Sequence, residues 1–269
     1  MNRIFYMLLL FVIITSCSKS ERAEIYVPRL LKAQEDLNVR QKEGDSKFTI
    51  FNFVGEDKKS KKGDLIGIRY GDTLIRIQAD ANDKTLIHDH FGFAQFVNTD
   101  KTCILVQLPN EKGLIGPTYI ISLKNGKPEV INPYMPSNGK DDAKFTRGVS
   151  SVGKSAYLIN NDYLLSAVNA KLYTIKRQNP DERIQGYLFL KSSDNETLVF
   201  LVNGAFYQVH YPSGETYTLP ITSKIAQDDS RGLYKWIQDN YTWIRNNKNI
   251  SFLLPAPTDN GIKDMRRKI

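Results

Sequence analysis

The sequence predicts an all-β body of antiparallel four-stranded units, closed by a short C-terminal helix and hairpin. Three observations carry this. Short apolar runs rich in valine, isoleucine, tyrosine and phenylalanine recur from Phe48 to Leu219. Turn formers separate them, and no stretch there sustains a helical period. The chain is 41% hydrophobic and 11% aromatic, enough for a packed core rather than disorder.

The chain begins with a targeting segment at residues 1–16. Arg3 supplies a positive n-region, Ile4–Ile14 is an uninterrupted apolar run, and Thr15-Ser16 are the small residues of a cleavage site. Such a run, at about 1.5 Å per residue, falls short of a hydrocarbon core about 30 Å thick. Ile14-Thr15-Ser16-Cys17 resembles the lipobox of bacterial lipoprotein precursors. The resemblance implies cleavage before Cys17 and a diacylglycerol on its sulfur. Two or more acyl chains anchor stably, whereas one is marginal. Ser18 at the next place implies, by the same resemblance, the outer membrane facing the periplasm. The competing readings are an ordinary signal peptide with a chance cysteine, or a buried N-terminal helix.

Residues 17–46 are polar and read as a lipidated tether. A helical patch is predicted over Pro28–Val39, with Pro28 in the first turn and Leu30, Leu31 and Leu37 on a thin apolar face.

Residues 47–222 form the β-rich body, and an internal repeat sharpens it. Phe96–Val106 aligns without gaps on Leu190–Phe200, each a strand, a polar turn with an aspartate (Asp100, Asp194) and a second strand. Tyr119–Ile131 aligns on Tyr207–Leu219, both hairpins turned by Asn125-Gly126 or Ser213-Gly214. A weaker copy lies between them, at Leu172–Ile175 with its turn near Asn179-Pro180. Gly126 and Gly214 are two repeats apart, a period of about 44 residues, and four strands at that period mark a propeller blade. The pattern resembles the blades of bacterial β-propellers, of which about four fit here. A two-sheet β-sandwich is the alternative.

Residues 223–269 are predicted to hold a helix capped by Asp229 or Ser230, with Leu233, Trp236 and Ile237 on its face. A hairpin from Tyr241 to Pro255 and a basic tail follow. Trp236 and Trp243 are expected to bury this cap onto the body. They are also the candidates for a partner-binding patch, since aromatics serve both cores and interfaces.

The formal charge is +8, from scattered lysines and arginines. Export separates the chain from nucleic acid and from nucleotide, so the basic surface is read as facing anionic lipid or an acidic protein. With Cys17 committed to lipid, Cys103 has no disulfide partner, and its place in an apolar run predicts an inert core thiol.

Gly148-Val-Ser-Ser-Val-Gly153-Lys154-Ser155 matches the phosphate-binding pattern G-x-x-x-x-G-K-[ST]. That chemistry needs a strand before and a helix after, whereas a polar loop precedes and a strand follows, so no nucleotide site is predicted. His88 and His90 share one face if extended, and with His210 they are the metal-ligand candidates for an open zinc site. No nucleophile elbow is present. The pairs Asp141-Asp142 and Asp228-Asp229 and the run Glu56–Gly63 read as solvated loops.

The function expected is a membrane-anchored, non-catalytic protein-binding lipoprotein, with no catalytic residues and no cofactor. Lipoproteins ending in a tryptophan-bearing helix and hairpin are similar to immunity lipoproteins that block toxins delivered by type VI secretion. The likeness covers the lipobox and, loosely, residues 233–254. It implies a protein that covers a toxin's active site. The alternatives are an exported zinc hydrolase using His88, His90 and His210, and a propeller scaffold in an outer-membrane assembly.

Overall fold

The computed structural model describes residues 22–32, 35–42, 45–53, 65–111, 113–138, 147–221 and 229–257. Residues 1–16, Cys17, Ser18, the Glu56–Gly63 run, Asp141-Asp142, Asp228 and the basic tail from residue 258 lie outside the described residues.

Two short strands come first, β1 (Arg22–Tyr26) and β2 (Arg29–Leu30). The first sheet then uses β3 (Phe48–Asn52), β4 (Ile66–Tyr70), β5 (Thr73–Asp80) and β6 (Asp83–His88). The second uses β7 (Phe93–Phe96), β8 (Cys103–Gln107), β9 (Thr118–Lys124) and β10 (Lys127–Asn132). The third uses β11 (Val149–Val152), β12 (Ala156–Ile159), β13 (Tyr163–Ser166) and β14 (Leu172–Thr174). The fourth uses β15 (Tyr187–Lys191), β16 (Thr197–Val202), β17 (Ala205–His210) and β18 (Glu215–Pro220). Helix α1 (Ser230–Asn240) leads into the hairpin β19 (Tyr241–Arg245) and β20 (Ser251–Pro255). Among the described residues the fold is all-β with one short helix, and no helix there is long and apolar enough to cross a membrane.

The last three sheets are antiparallel meanders of consecutive strands, and the first adds β6 to the path β3–β4–β5. The two N-terminal strands join in parallel. Arg22 to Tyr26 lie along Thr73 to Ile77 of β5, and Arg29-Leu30 along Ile131-Asn132 of β10.

Strand alternation explains the stacking, because successive side chains point to opposite faces. In β8, Ile104 and Val106 join Ile68, Ile75 and Ile77 between the first and second sheets. Cys103 and Leu105 join Ile159 and Leu165 between the second and third. In β16, Leu198 and Phe200 meet Leu158 and Leu164. Val199 and Leu201 meet Leu233 and Ile237 of α1 and Leu253 of β20. The sheets therefore pack face to face in chain order, and α1 with its hairpin covers the outer side of the fourth. Among the described residues no core cluster joins the first sheet to the fourth.

Several expectations change. Four stacked sheets replace the two-sheet sandwich. No helix forms over Pro28–Val39 among the described residues. Arg29-Leu30 is β2, Leu37 is buried in the second core and Val39 packs on the first, so the tether reading does not hold from Arg22 onward. The intermediate repeat is β11–β14, with its last hairpin turning at 167–171 rather than near Asn179-Pro180, because Leu172–Thr174 is a fourth strand and not a third. The aligned turns do correspond. Asn98 Oδ1 accepts the Cys103 backbone N–H at 3.2 Å, and at the matching place Ser192 Oγ accepts that of Thr197 at 2.9 Å. Gly126 and Gly214 sit at φ +75 and +71, as their hairpins require.

Candidate functional site

A cleft of about 640 Å³ opens where the end of β6 meets the loop after β8. One wall is Leu65 with Ile87, His88, Asp89 and His90; the other is Pro109, Asn110 and Glu111. Phe91 fixes the first wall. It is fully buried, and its N–H and carbonyl exchange hydrogen bonds with Ile66 at 2.8 and 3.0 Å. The Asp89 carboxylate faces Arg76 Nε at 3.5 Å and touches His90 Nδ1. The His90 ring stacks on Phe53, centroids 4.8 Å apart.

The second wall is a tight loop. Asn110 Oδ1 accepts the Gly116 N–H at 3.0 Å, and Glu111 and Leu114 exchange backbone hydrogen bonds. Gly116 has no substitute there, since a Cβ would fall 2.1 Å from the Leu108 carbonyl oxygen. The result is two imidazoles, two carboxylates and an amide around an apolar floor of Leu65, Ile87 and Pro109. Such a recess suits a polar or cationic group presented on a short apolar stem.

His210 does not join this cleft. It lies on β17, where Nδ1 is 2.7 Å from Ser213 Oγ and Nε2 is 3.4 Å from Glu196 Oε2. Among the described residues no group of three or more His, Cys, Asp or Glu side chains is placed to hold a metal. The trio His88, His90 and His210 is thus corrected: the topology puts two of them on the first sheet and the third on the fourth.

The phosphate-loop match is a β-hairpin, β11 turning at Gly153 (φ +66) into β12, with no helix to receive a phosphate. Cys103 is fully buried, and burial pushes its thiol up to about 12, so it is not a nucleophile at neutral pH. Trp236 and Trp243 are half-buried against the fourth core, and Trp236 meets Tyr241 edge-on at 4.9 Å. In comparisons with family models, curated proteins and solved structures, nothing matches the chain significantly.

Sequence reading missed Glu111 in the cleft and Phe53 behind its His90 wall, and also a buried ionic knot. Asp162 is fully buried and bonds Arg177 Nε at 2.9 Å and Arg183 Nε at 3.0 Å. Arg177 also donates to the carbonyls of Pro136 at 2.7 Å and Met135 at 3.2 Å. The knot ties the β10–β11 and β14–β15 connections to the β12–β13 turn. No signal marks it in sequence, because its members are 15 and 21 positions apart.

Proposed function

We propose that this protein is a lipid-anchored, protein-binding module of a bacterial envelope, and that its stacked sheets present a binding surface rather than a catalytic centre. The observation that carries the reading is the apolar run Ile4–Ile14 ending in Ile14-Thr15-Ser16-Cys17. The cleft between the first two sheets supports the binding half. Its walls are pinned by Phe91 and Gly116, and it offers Glu111 and two imidazoles to an inserted side chain. The likeness to immunity lipoproteins points to a secreted toxin as the partner and to the outer membrane, facing the periplasm, as the site.

The lipidated protein used as bait against envelope and secreted fractions tests this. One partner is expected at stoichiometric retention, and a His90→Ala, Glu111→Lys variant is expected to lose it. Undiminished retention by that variant would remove the cleft from the proposal. Failure to retain any protein in either fraction would sink the binding reading.

A further inference from the structure

A second recess, of about 170 Å³, lies between the third and fourth sheets and shares no lining residue with the cleft. The hairpin turns of both sheets form its rim. Ser155 follows β11, Asn169 follows β13, Asn195 follows β15 and Tyr211 follows β17. Val152, Ala156 and Leu164 give it an apolar floor that continues the third core. Tyr173 and Tyr211 add two rings that meet edge-on, with centroids 4.8 Å apart.

The polar groups of the walls are only partly used. Ser166 Oγ accepts the Val168 and Asn169 N–H groups at 3.3 and 3.4 Å, which leaves its own O–H to donate. Asn169 Oδ1 accepts the Lys171 N–H at 3.1 Å, and Asn195 Oδ1 accepts from Lys191 Nζ. The amide nitrogens of both asparagines, the Ser155 hydroxyl and the two tyrosine hydroxyls have no hydrogen-bond partner among the described residues. Burial, with Tyr173, Glu196 and Asp194 nearby, raises the Tyr211 hydroxyl above its ordinary value, so it stays protonated and able to donate. No carboxylate or ammonium group lines the recess among the described residues. The two ammonium groups beside it are engaged elsewhere, Lys171 over the Tyr173 ring at 4.9 Å and Lys191 on Asn195.

We infer that this recess binds one neutral sugar ring of a glycan, with the ring's C–H face on the apolar floor and tyrosines and its hydroxyls on the serines and asparagines. The volume admits a single small ring. A pyranose presents an apolar face of C–H groups and a rim of hydroxyls that both donate and accept. That pairing matches an apolar floor, electron-rich rings and uncommitted amides and hydroxyls. An anion would meet no cation in the walls, and a wholly apolar ligand would strand the polar groups it covered. The site stands whether or not Cys17 carries lipid, and it is distinct from the protein-binding cleft between the first two sheets.

The test titrates the full chain, carrying Cys17→Ser, with glucose, galactose and N-acetylglucosamine, and saturation-transfer NMR reads the ring protons of each. The expected result is transfer to the ring C–H protons of at least one sugar, at the millimolar affinity that suits so small a ligand. Sorbitol, which has the hydroxyls without the ring, is expected to receive severalfold less. Ser155→Trp fills the recess from an exposed turn. Asn195→Gly removes one amide at a left-handed position, φ +63, where glycine is unstrained. Each variant is expected to weaken sugar binding severalfold with the circular dichroism spectrum unchanged, and if one fails to fold the other decides. Transfer to none of the three sugars overturns the inference. Equal transfer to sorbitol, or undiminished binding by a folded variant of the recess, overturns it as well.

Discussion

Replacing Asp162 with asparagine isolates the ionic knot. The side chain keeps its shape and loses its charge, so two buried guanidinium groups lose the carboxylate they share. Removing one partner from a buried ion pair costs about 3–5 kcal/mol, because the remaining charge is desolvated without compensation. Charge-assisted hydrogen bonds of about 1.5–3 kcal/mol each, two of them here, give a similar total. Global stabilities run to about 5–15 kcal/mol, so the variant forfeits a large share. At about 2–4 °C per kcal/mol for a chain of this size, melting falls by about 6–20 °C. Urea unfolding followed by circular dichroism and tryptophan fluorescence measures it, and coincident transitions justify a single free energy. Asp181→Asn, an exposed carboxylate nearby, is the control and stays within about 0.5 kcal/mol. A loss under about 1 kcal/mol for Asp162→Asn, with the spectrum unchanged, would refute the argument that the knot holds the sheet connections.

Three further outcomes are expected. A Cys17→Ser form of the protein takes up no maleimide at pH 8 in the native state and one equivalent in urea, since Cys103 is buried; native labelling would contradict its place in the core. Gly186→Ala loses about 1–3 kcal/mol, because a Cβ there would lie 2.1 Å from the Leu201 carbonyl oxygen; an unchanged urea midpoint would count against that close approach. The Ser192 hydroxyl, then the Glu196 N–H and the Ser251 hydroxyl, hold the Asp194 carboxyl below its usual range. A depressed folded pKa means its stabilisation is present above the unfolded value of about 4 and is lost as pH falls through the folded one. Asp194→Asn therefore lowers the urea midpoint at pH 7 and flattens its fall toward pH 3. An equal fall in both proteins would exclude that role.

Much of the fold is legible because each central strand carries a face of valine, isoleucine and leucine toward two neighbours, giving dense apolar runs such as Cys103–Val106 and Leu198–Val202. The helix is legible for the same reason at another period. Asp229 caps it by accepting the Gly232 N–H at 2.9 Å, and Leu233 and Ile237 are buried. β1 is different. Arg22-Ala-Glu-Ile-Tyr26 is exposed over most of its length and becomes a strand only because β5 lies beside it, and no local pattern encodes a partner so far along the chain. β6 is missed likewise, being half solvent-facing. In the cleft, His88 and His90 draw the eye as residue types, but Glu111 reaches it only through the loop that follows β8, and Phe53 supports His90 only through the chain that follows β3. Asp162, Arg177 and Arg183 carry no pattern that pairs them, and only the folding of the sheet connections brings them together.

The parallel attachment of β1 and β2 also sets an order of assembly. The third and fourth sheets are meanders whose strands pair with their neighbours in sequence, so they close short loops and take no strand from the N-terminus. The first two sheets are complete only when the opening residues return to β5 and β10, and when Leu37 fills the second core. A chain clipped beyond Leu37 would keep two well-formed sheets beside two with unpaired backbone edges and a gap in the core. Bare edges of that kind template pairing with other chains, so proteolysis near the N-terminus converts an intact chain into a seed for self-association.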